Sequence, residues 1–317
     1  MRVLVSGITG AIGSELAPRL LADGHEVRGL TRDRAAAADT GRVPAGVELV
    51  RGDVVTGTGL RRALRGIDVA YYLIHSMEPA TSERFDALEL RGANNFARAA
   101  GAAELRRLVY LGGIAPSRVR ASAHMASRLA VERVVLDAAP ERLGLRASIV
   151  IGPRSRSFRF LVRLIERMPV LILPAWRDHI TMPVDQRDVT ECLIRAATAP
   201  IAPGSPEASD NDSYDLVGPE IVTYGQLISR IRDLLMLERP VLSVPRLSLT
   251  PIASRVSAVI AGEEHALIGP LMGSLGSDLM PTLSSATARL GVRPHSLDAA
   301  IECALREWEM TEPLSAR

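Results

Sequence analysis

Short apolar runs alternate with longer stretches of helical spacing along the first 150 residues. Arg2 to Ser6, with Val3, Leu4 and Val5 unbroken, reads as a buried strand, since a strand covered on both faces shows no polar alternation. Ile12, Leu16 and Leu20 then repeat at helical spacing until Gly24 stops the pattern. Further strands are predicted at His25 to Leu30, Val47 to Arg51, Val69 to Ile74, Leu108 to Leu111 and Leu145 to Ile151. Between them, helices are predicted at Thr58 to Leu64, Ser82 to Ala100 (apolar side Phe85, Leu88, Phe96) and Ala121 to Ala139. Six strands alternating with helices predict an α/β fold with a Rossmann-type doubly wound parallel sheet.

Past Pro153 the pattern loosens. Helices are predicted at Arg159 to Met168, Asp188 to Ala199 (capped by Asp188), Tyr224 to Leu237 and Ser296 to Met310. Short strands are predicted at Met182 to Val184, Tyr214 to Val217 and Val241 to Val244. Ile201 to Asp212 reads as a surface loop, and apolar Leu247 to Met280 as mobile helices forming a pocket wall or lid. The expected division is a dinucleotide-binding domain over 1–155, to which the chain returns around 180–200. Residues 156–317 form a smaller, mainly helical substrate-binding part.

The first strand and helix are joined by Gly7, Gly10 and Gly13, with Thr9, Ala11 and Ile12 between them. A strand, a glycine turn and a helix N-terminus in that order make an anion site. The glycines let a pyrophosphate come close, and the first helical N–H groups face it. In such folds an acid about 20 residues past the glycines binds the ribose 2′-hydroxyl. Here that place holds Thr31 and Arg32. A guanidinium suits a 2′-phosphate, and Thr31 adds a hydroxyl, so NADP (NADPH) is the expected cofactor. Asp53 after the third strand either accepts from the adenine amino group, with Val54 N–H facing the ring, or caps the following helix. A ligand crosses the carboxyl ends of the strands. Leu73, Ile74, His75, Gly112, Gly113, Ile151 and Gly152 are therefore expected along it.

Composition narrows the chemistry. All 38 basic residues are arginine and no lysine is present. This excludes Schiff-base, P-loop-lysine and lysine-assisted tyrosine chemistry, because arginine stays protonated. A formal net charge of +2 argues against a nucleic-acid partner. Cys192 and Cys303 read as buried thiols rather than a disulfide or metal site. The chain opens directly on a strand, and its longest apolar segment, Met168 to Trp176, is too short to span a bilayer. A cytoplasmic monomer or homodimer is expected.

Gly7-Ile-Thr-Gly-Ala-Ile-Gly13, Asp53, Tyr71-Tyr72-Leu-Ile-His75-Ser76-Met77, Arg146-Ala-Ser-Ile-Val-Ile-Gly-Pro153 and Pro183-Val-Asp-Gln-Arg-Asp188-Val189 together resemble the short-chain dehydrogenase/reductase superfamily. The likeness is to its extended and atypical branches, in the NAD(P)H-binding subgroup of NmrA-like regulators and an accessory subunit of respiratory complex I. It covers about residues 1–200. It implies a catalytic tyrosine and lysine four apart on the helix after the fifth strand, where one turn puts both on one face. That place reads His124-Met-Ala-Ser-Arg128, and the serine implied after the fifth strand is Gly112 or Gly113. Arg128 remains to bind ribose hydroxyls or a cofactor phosphate. His124 is a candidate proton donor near neutral pH, the alternative being a surface or packing histidine in a site that lost its chemistry; His75 and Tyr72 are rival donors, and His179 either lies on the pocket rim or is a loop histidine. Alternation puts Tyr72 with Ile74 on one sheet face and Tyr71 with Leu73 on the other.

Three readings follow. The first is an NADP-dependent oxidoreductase reducing a carbonyl or activated C=C of an apolar small molecule. The second is a non-catalytic NADP(H)-binding sensor, and the third a redox-neutral epimerase with tightly held cofactor.

Overall fold

The computed structural model describes residues 1–74, 85–114, 123–173, 175–200, 212–243 and 277–312, with backbone alone at 85–86, 123–127 and 243. The first half runs β1 (Arg2–Ser6), α1 (Gly13–Ala22), β2 (Glu26–Thr31), α2 (Arg34–Asp39), β3 (Glu48–Arg51), α3 (Leu60–Leu64), β4 (Val69–Tyr72), α4 (Phe85–Ala102), β5 (Arg107–Gly113), α5 (Ala123–Leu136) and β6 (Glu141–Ala147). The second half runs β7 (Val150–Ile151), α6 (Arg156–Arg167), β8 (Leu171–Leu173), a 3₁₀ turn (Ala175–Asp178), β9 (Ile180–Thr181), β10 (Val184–Asp185), α7 (Gln186–Ala196), β11 (Ser213–Leu216), β12 (Val222–Thr223), α8 (Tyr224–Leu234), β13 (Val241–Ser243), α9 (Ala286–Leu290) and α10 (Leu297–Glu309).

The main sheet has seven strands in the order β3-β2-β1-β4-β5-β6-β11, and every pairing is parallel. This is the doubly wound order, with its reversal between β1 and β4. Alternation sorts the side chains. Val3, Val5, Tyr71, Val109 and Leu145 face α1, α7 and α9, while Leu4, Ala70, Tyr72, Leu108 and Tyr110 face α3, α4 and α5. A second core joins Ile151, Phe158, Ile165, Trp176, Tyr224, Ile228, Ile301 and Trp308 from α6, α8, α10 and the small strands.

Several expectations need correction. The run Leu145 to Ile151 is two strands. After Ala147 the chain leaves the sheet, and Val150–Ile151 pairs with β10 instead. The helix expected to begin at Asp188 begins at Gln186 and is capped by Asp185, whose carboxylate accepts from Arg187 N–H. Asp188 instead accepts from the His295 backbone N–H at 2.9 Å and pairs with its ring at 2.6 Å. Asp33 caps α2, a helix too short for its period to be read from sequence. The loop at 201–211 and residues 247–276 of the expected lid lie outside the described residues.

Buried charge ties the layers together. Glu132 on α5 takes a two-pronged hydrogen bond from Arg146 on β6 (2.8–3.1 Å) and one from Ser213 on β11 (2.6 Å). Glu132→Ala would leave Arg146 buried without its partner. The expected loss is about 3–5 kcal/mol, measured by denaturant unfolding.

Glu220 accepts from Leu297 N–H at the start of α10 and from Arg230. These bonds, the backbone one foremost, hold its carboxyl below the usual range. The stabilisation is therefore complete above the ordinary carboxylate pKa and is lost as pH falls through the lower folded value. Glu220→Gln is expected to flatten the acid limb of the stability–pH profile while changing its slope little above pH 6.

Candidate functional site

The site starts at the exit of β1. Gly7 turns with φ +76°, a conformation L side chains resist, and a Cβ there would come 3.1 Å from Leu73 carbonyl oxygen. A Cβ on Gly10 would sit 3.1 Å from the Gly7 oxygen, and one on Gly13 would overlap that oxygen outright. Gly10 N–H closes the turn on the Gly7 carbonyl at 2.9 Å. α1 follows with Ile12 as its N-cap residue and no side-chain cap; Ser14 N–H is taken by the Gly10 carbonyl at 3.0 Å and Glu15 N–H by that of Ile12 at 3.1 Å, and the positive dipole end of the helix faces the sheet edge. Ser6 stitches this point to β4: its hydroxyl donates to the Tyr71 carbonyl (2.8 Å) and accepts from Leu73 N–H (3.2 Å).

On the β2–β3 side, Thr31 and Arg51 end neighbouring strands in register, which brings Thr31, Arg32, Asp53 and Val54 together. Thr31 hydroxyl donates to the Asp33 carbonyl. Arg32 is exposed. Asp53 does not cap α3, whose N-cap is Gly59. Its Oδ1 closes its own loop on Val55 N–H at 2.7 Å. Two residues missed by sequence reading belong here. Arg42 donates to the Thr9 carbonyl in the glycine turn, and Asn95 on α4 donates to the carbonyls of Val54 and Val55, fixing that loop. Neither has a local signal, because each acts across the fold.

On the other side lie the ends of β4, β5 and β6. Tyr72 is level with Tyr110 and Gly113 with Ala147, so Leu73, Ile74, Gly113 and Ser148 share one edge. Gly112 is inside β5, and a Cβ there would strike the Tyr110 ring. Arg128 stands near the start of α5, its carbonyl accepting from the Tyr110 hydroxyl. The His124 backbone lies one turn earlier on α5, and His75 falls outside the described residues.

Three expected residues sit elsewhere. Tyr72 is 2% exposed, edge-on to Phe96 and stacked on Tyr110. Burial raises its phenol well above the ordinary range, which argues against proton donation to a ligand. Ile151 is part of the second core. Gly152 is packed so closely on Gln186 that a Cβ would overlap the amide; its glycine answers a side chain. His179, by contrast, pairs with Asp278 at 3.3 Å and is part-exposed. Among the described residues no group of three or more metal-ligating side chains occurs, and no helix is long and apolar enough to cross a membrane.

The glycine cradle and uncapped helix fit the pyrophosphate of a dinucleotide. Gly13→Ala should push α1 off the Gly7 carbonyl and abolish nucleotide binding in titration calorimetry. Gly24→Ala, where a Cβ meets open space, serves as a control for backbone strain, since Gly24 also has positive φ.

A family model for NAD(P)H-binding domains matches residues 7–139. The ceramide reductase of Caulobacter vibrioides is 30% identical over 214 residues, 67% of this chain and 66% of that protein. An uncharacterised protein of Mycobacterium tuberculosis is 25% identical over 244 residues, 76% of this chain. The chain spans about a quarter of that mycobacterial protein's length. Among solved structures, UDP-glucose 4-epimerase from Thermotoga maritima superposes with TM-score 0.72 at 14% identity, over 98% of this chain and 99% of that one. With the parallel seven-stranded sheet and the glycine turn in place, the chain belongs to the atypical short-chain dehydrogenase/reductase family and carries an NAD(P)H-binding domain.

Proposed function

We propose that this protein is an NADP(H)-dependent reductase acting on a carbonyl or an activated C=C of an apolar small molecule. The observation that supports NADP is the charge beside the glycine turn. Arg32 follows β2, Arg42 touches the turn at Thr9, and the neighbouring carboxylate, Asp33, is committed to the N-terminus of α2. Two guanidinium groups favour a 2′-phosphate, and a carboxylate engaged with backbone N–H groups is not offered to a ribose diol.

Bound NADPH would supply the hydride. The chain's own residues supply the rest. The glycine turn and α1 hold the pyrophosphate, and Arg128 holds ribose hydroxyls or a phosphate as a permanent cation. His124, one turn before Arg128, or His75 gives the proton. An activated C=C needs less help from an acid than a ketone does, which suits a site without the family's tyrosine. The similarity to a ceramide reductase supports an apolar substrate.

The test uses NADPH and NADH with 2-decanone and 3-decen-2-one, following the reduced-nicotinamide absorbance. Turnover with NADPH that is lost in His124→Phe is expected. Arg32→Asp should weaken NADPH about tenfold or more, about 1.4 kcal/mol, while NADH changes little. Equal losses for both nucleotides would overturn the NADP assignment. Tight NADPH binding with no oxidation by a wider carbonyl panel would favour the sensor reading.

A further inference from the structure

The part-exposed side of α1 forms one wall of a separate cavity of about 160 Å³. Glu15 and Pro18 line it from α1, Gln186 from the start of α7, and Ala300, Ala304 and Glu307 from α10. Ile151 and Gly152 complete the wall. None of Gly7, Gly10, Arg32 and Arg128 lines it, so it is distinct from the nucleotide cleft.

The charges around this cavity are unevenly matched. Asp185 is held by Arg187 in a two-pronged pair, and Arg19 is taken by Glu191 at 3.0 Å. Glu15 accepts from Arg154 through Oε1 at 3.1 Å. Glu307 accepts from the Cys303 thiol at 3.5 Å, and among the described residues no arginine pairs with it. Burial raises the Glu15 carboxyl, Arg154 pulls it down, and the Glu307 charge raises it again. Glu15 and Glu307 therefore repel each other between α1 and α10, and a positive charge placed there is favoured.

A second observation points the same way. Gln186 is 6% exposed, and its Oε1 has no hydrogen-bond donor among the described residues. That oxygen occupies the space where a Cβ on Gly152 would stand, so the missing side chain at Gly152 makes room for an acceptor on the cavity wall. A buried acceptor without a donor is costly, and an N–H group in the cavity supplies one. The apolar lining of Ile151, Pro18, Ala300 and Ala304 suits a short hydrocarbon stem better than a hydrated bare ion. A primary ammonium carries three donors, and a cavity of about 150 Å³ takes about six heavy atoms.

We propose that this cavity is a second ligand site, for a small primary amine bound as its ammonium, with Glu307, Glu15 and Gln186 as acceptors. The bound cation lies between α1 and α10 and ties the second core to the helix that leaves the glycine turn. The site is independent of the cofactor reading above.

The full chain is titrated with n-butylammonium chloride at fixed ionic strength and followed by ligand-observed NMR. A dissociation constant of about 1–10 mM is expected for so few atoms. 1-Butanol has the same stem without the charge, and tetramethylammonium has the charge without an N–H. Each is expected to bind about tenfold more weakly or worse. Glu307→Gln should weaken n-butylammonium about five- to tenfold, and Gln186→Leu about threefold. Saturating NADPH should leave its affinity unchanged. Glu307 is part-exposed on α10, so its variant carries the test should Gln186→Leu fail to fold. The inference is overturned if n-butylammonium shows no saturable binding, if tetramethylammonium binds as well, if either folded variant binds n-butylammonium as the wild type does, or if NADPH displaces it.

Discussion

Three stretches of backbone converge at the carboxyl edge of the sheet, and the absence of side chains sets their separation. Gly7 turns beneath the Leu73 carbonyl, and Gly13 passes the Gly7 carbonyl with no room for a Cβ. Only this spacing lets α1 begin at once beside the strand it follows. The cost is a helix start without a side-chain cap. The N–H groups of Ser14 and Glu15 turn back on the Gly10 and Ile12 carbonyls, and the positive end of the helix dipole is left facing the sheet edge, where it favours an anion. The close approach that compacts the fold also sets where that dipole end lies.

The remainder of the fold keeps the two sides of this turn aligned. β11 arrives late in sequence yet completes the sheet beside β6. It is joined there by the Glu132–Arg146–Ser213 network, so α5 is tied to two strands rather than one. Asp215 on β11 accepts from the backbone of Thr282 and Leu283, bringing the segment before α9 onto the sheet. The Asp188–His295 and Glu220–Leu297 contacts then pin the start of α10. Apolar burial supplies most of the driving force, but these directional contacts decide which surfaces meet. The arrangement is specific because Glu132, Asp188 and Asp215 each find their partners on a different element.

What the sequence made legible follows from the range of the interactions. β1, the glycine turn and α1 are encoded locally, by an apolar run, three glycines and a helical period, and the structure repeats them within a residue. The break after Ala147 leaves no mark because Leu145 to Ile151, with Arg146 and Ser148 among its apolar residues, reads as one strand, and periodicity does not register a change of partner strand. The capping alternative for Asp53 and the capping role of Asp188 fall for a related reason. A carboxylate before a helix looks like a cap, yet one closes its own loop and the other holds a residue more than a hundred positions away. Gly152 has the signature of close approach, and the approach is real, but to Gln186. Arg42 and Asn95 carry no local mark at all, since each gains its meaning from a contact made only in the folded state.

The absence of lysine constrains the chemistry more than any residue present. Arginine provides charge without a proton to exchange near neutral pH, so Arg128 is a fixed charge near the start of α5. The phenols of Tyr71, Tyr72, Tyr110 and Tyr224 are held protonated by burial, and are poor sources of a proton for the same reason. Imidazole is then the side chain whose ordinary pKa lies between pH 5 and 8. Under the reading proposed here, any acid–base dependence of turnover in that range is carried by histidine, and the fixed cation acts by holding and polarising what it binds. A site so built favours acceptors that need little proton assistance at the moment hydride arrives. Under that reading, a chain with no lysine selects its substrates through the electronic character of the bond to be reduced.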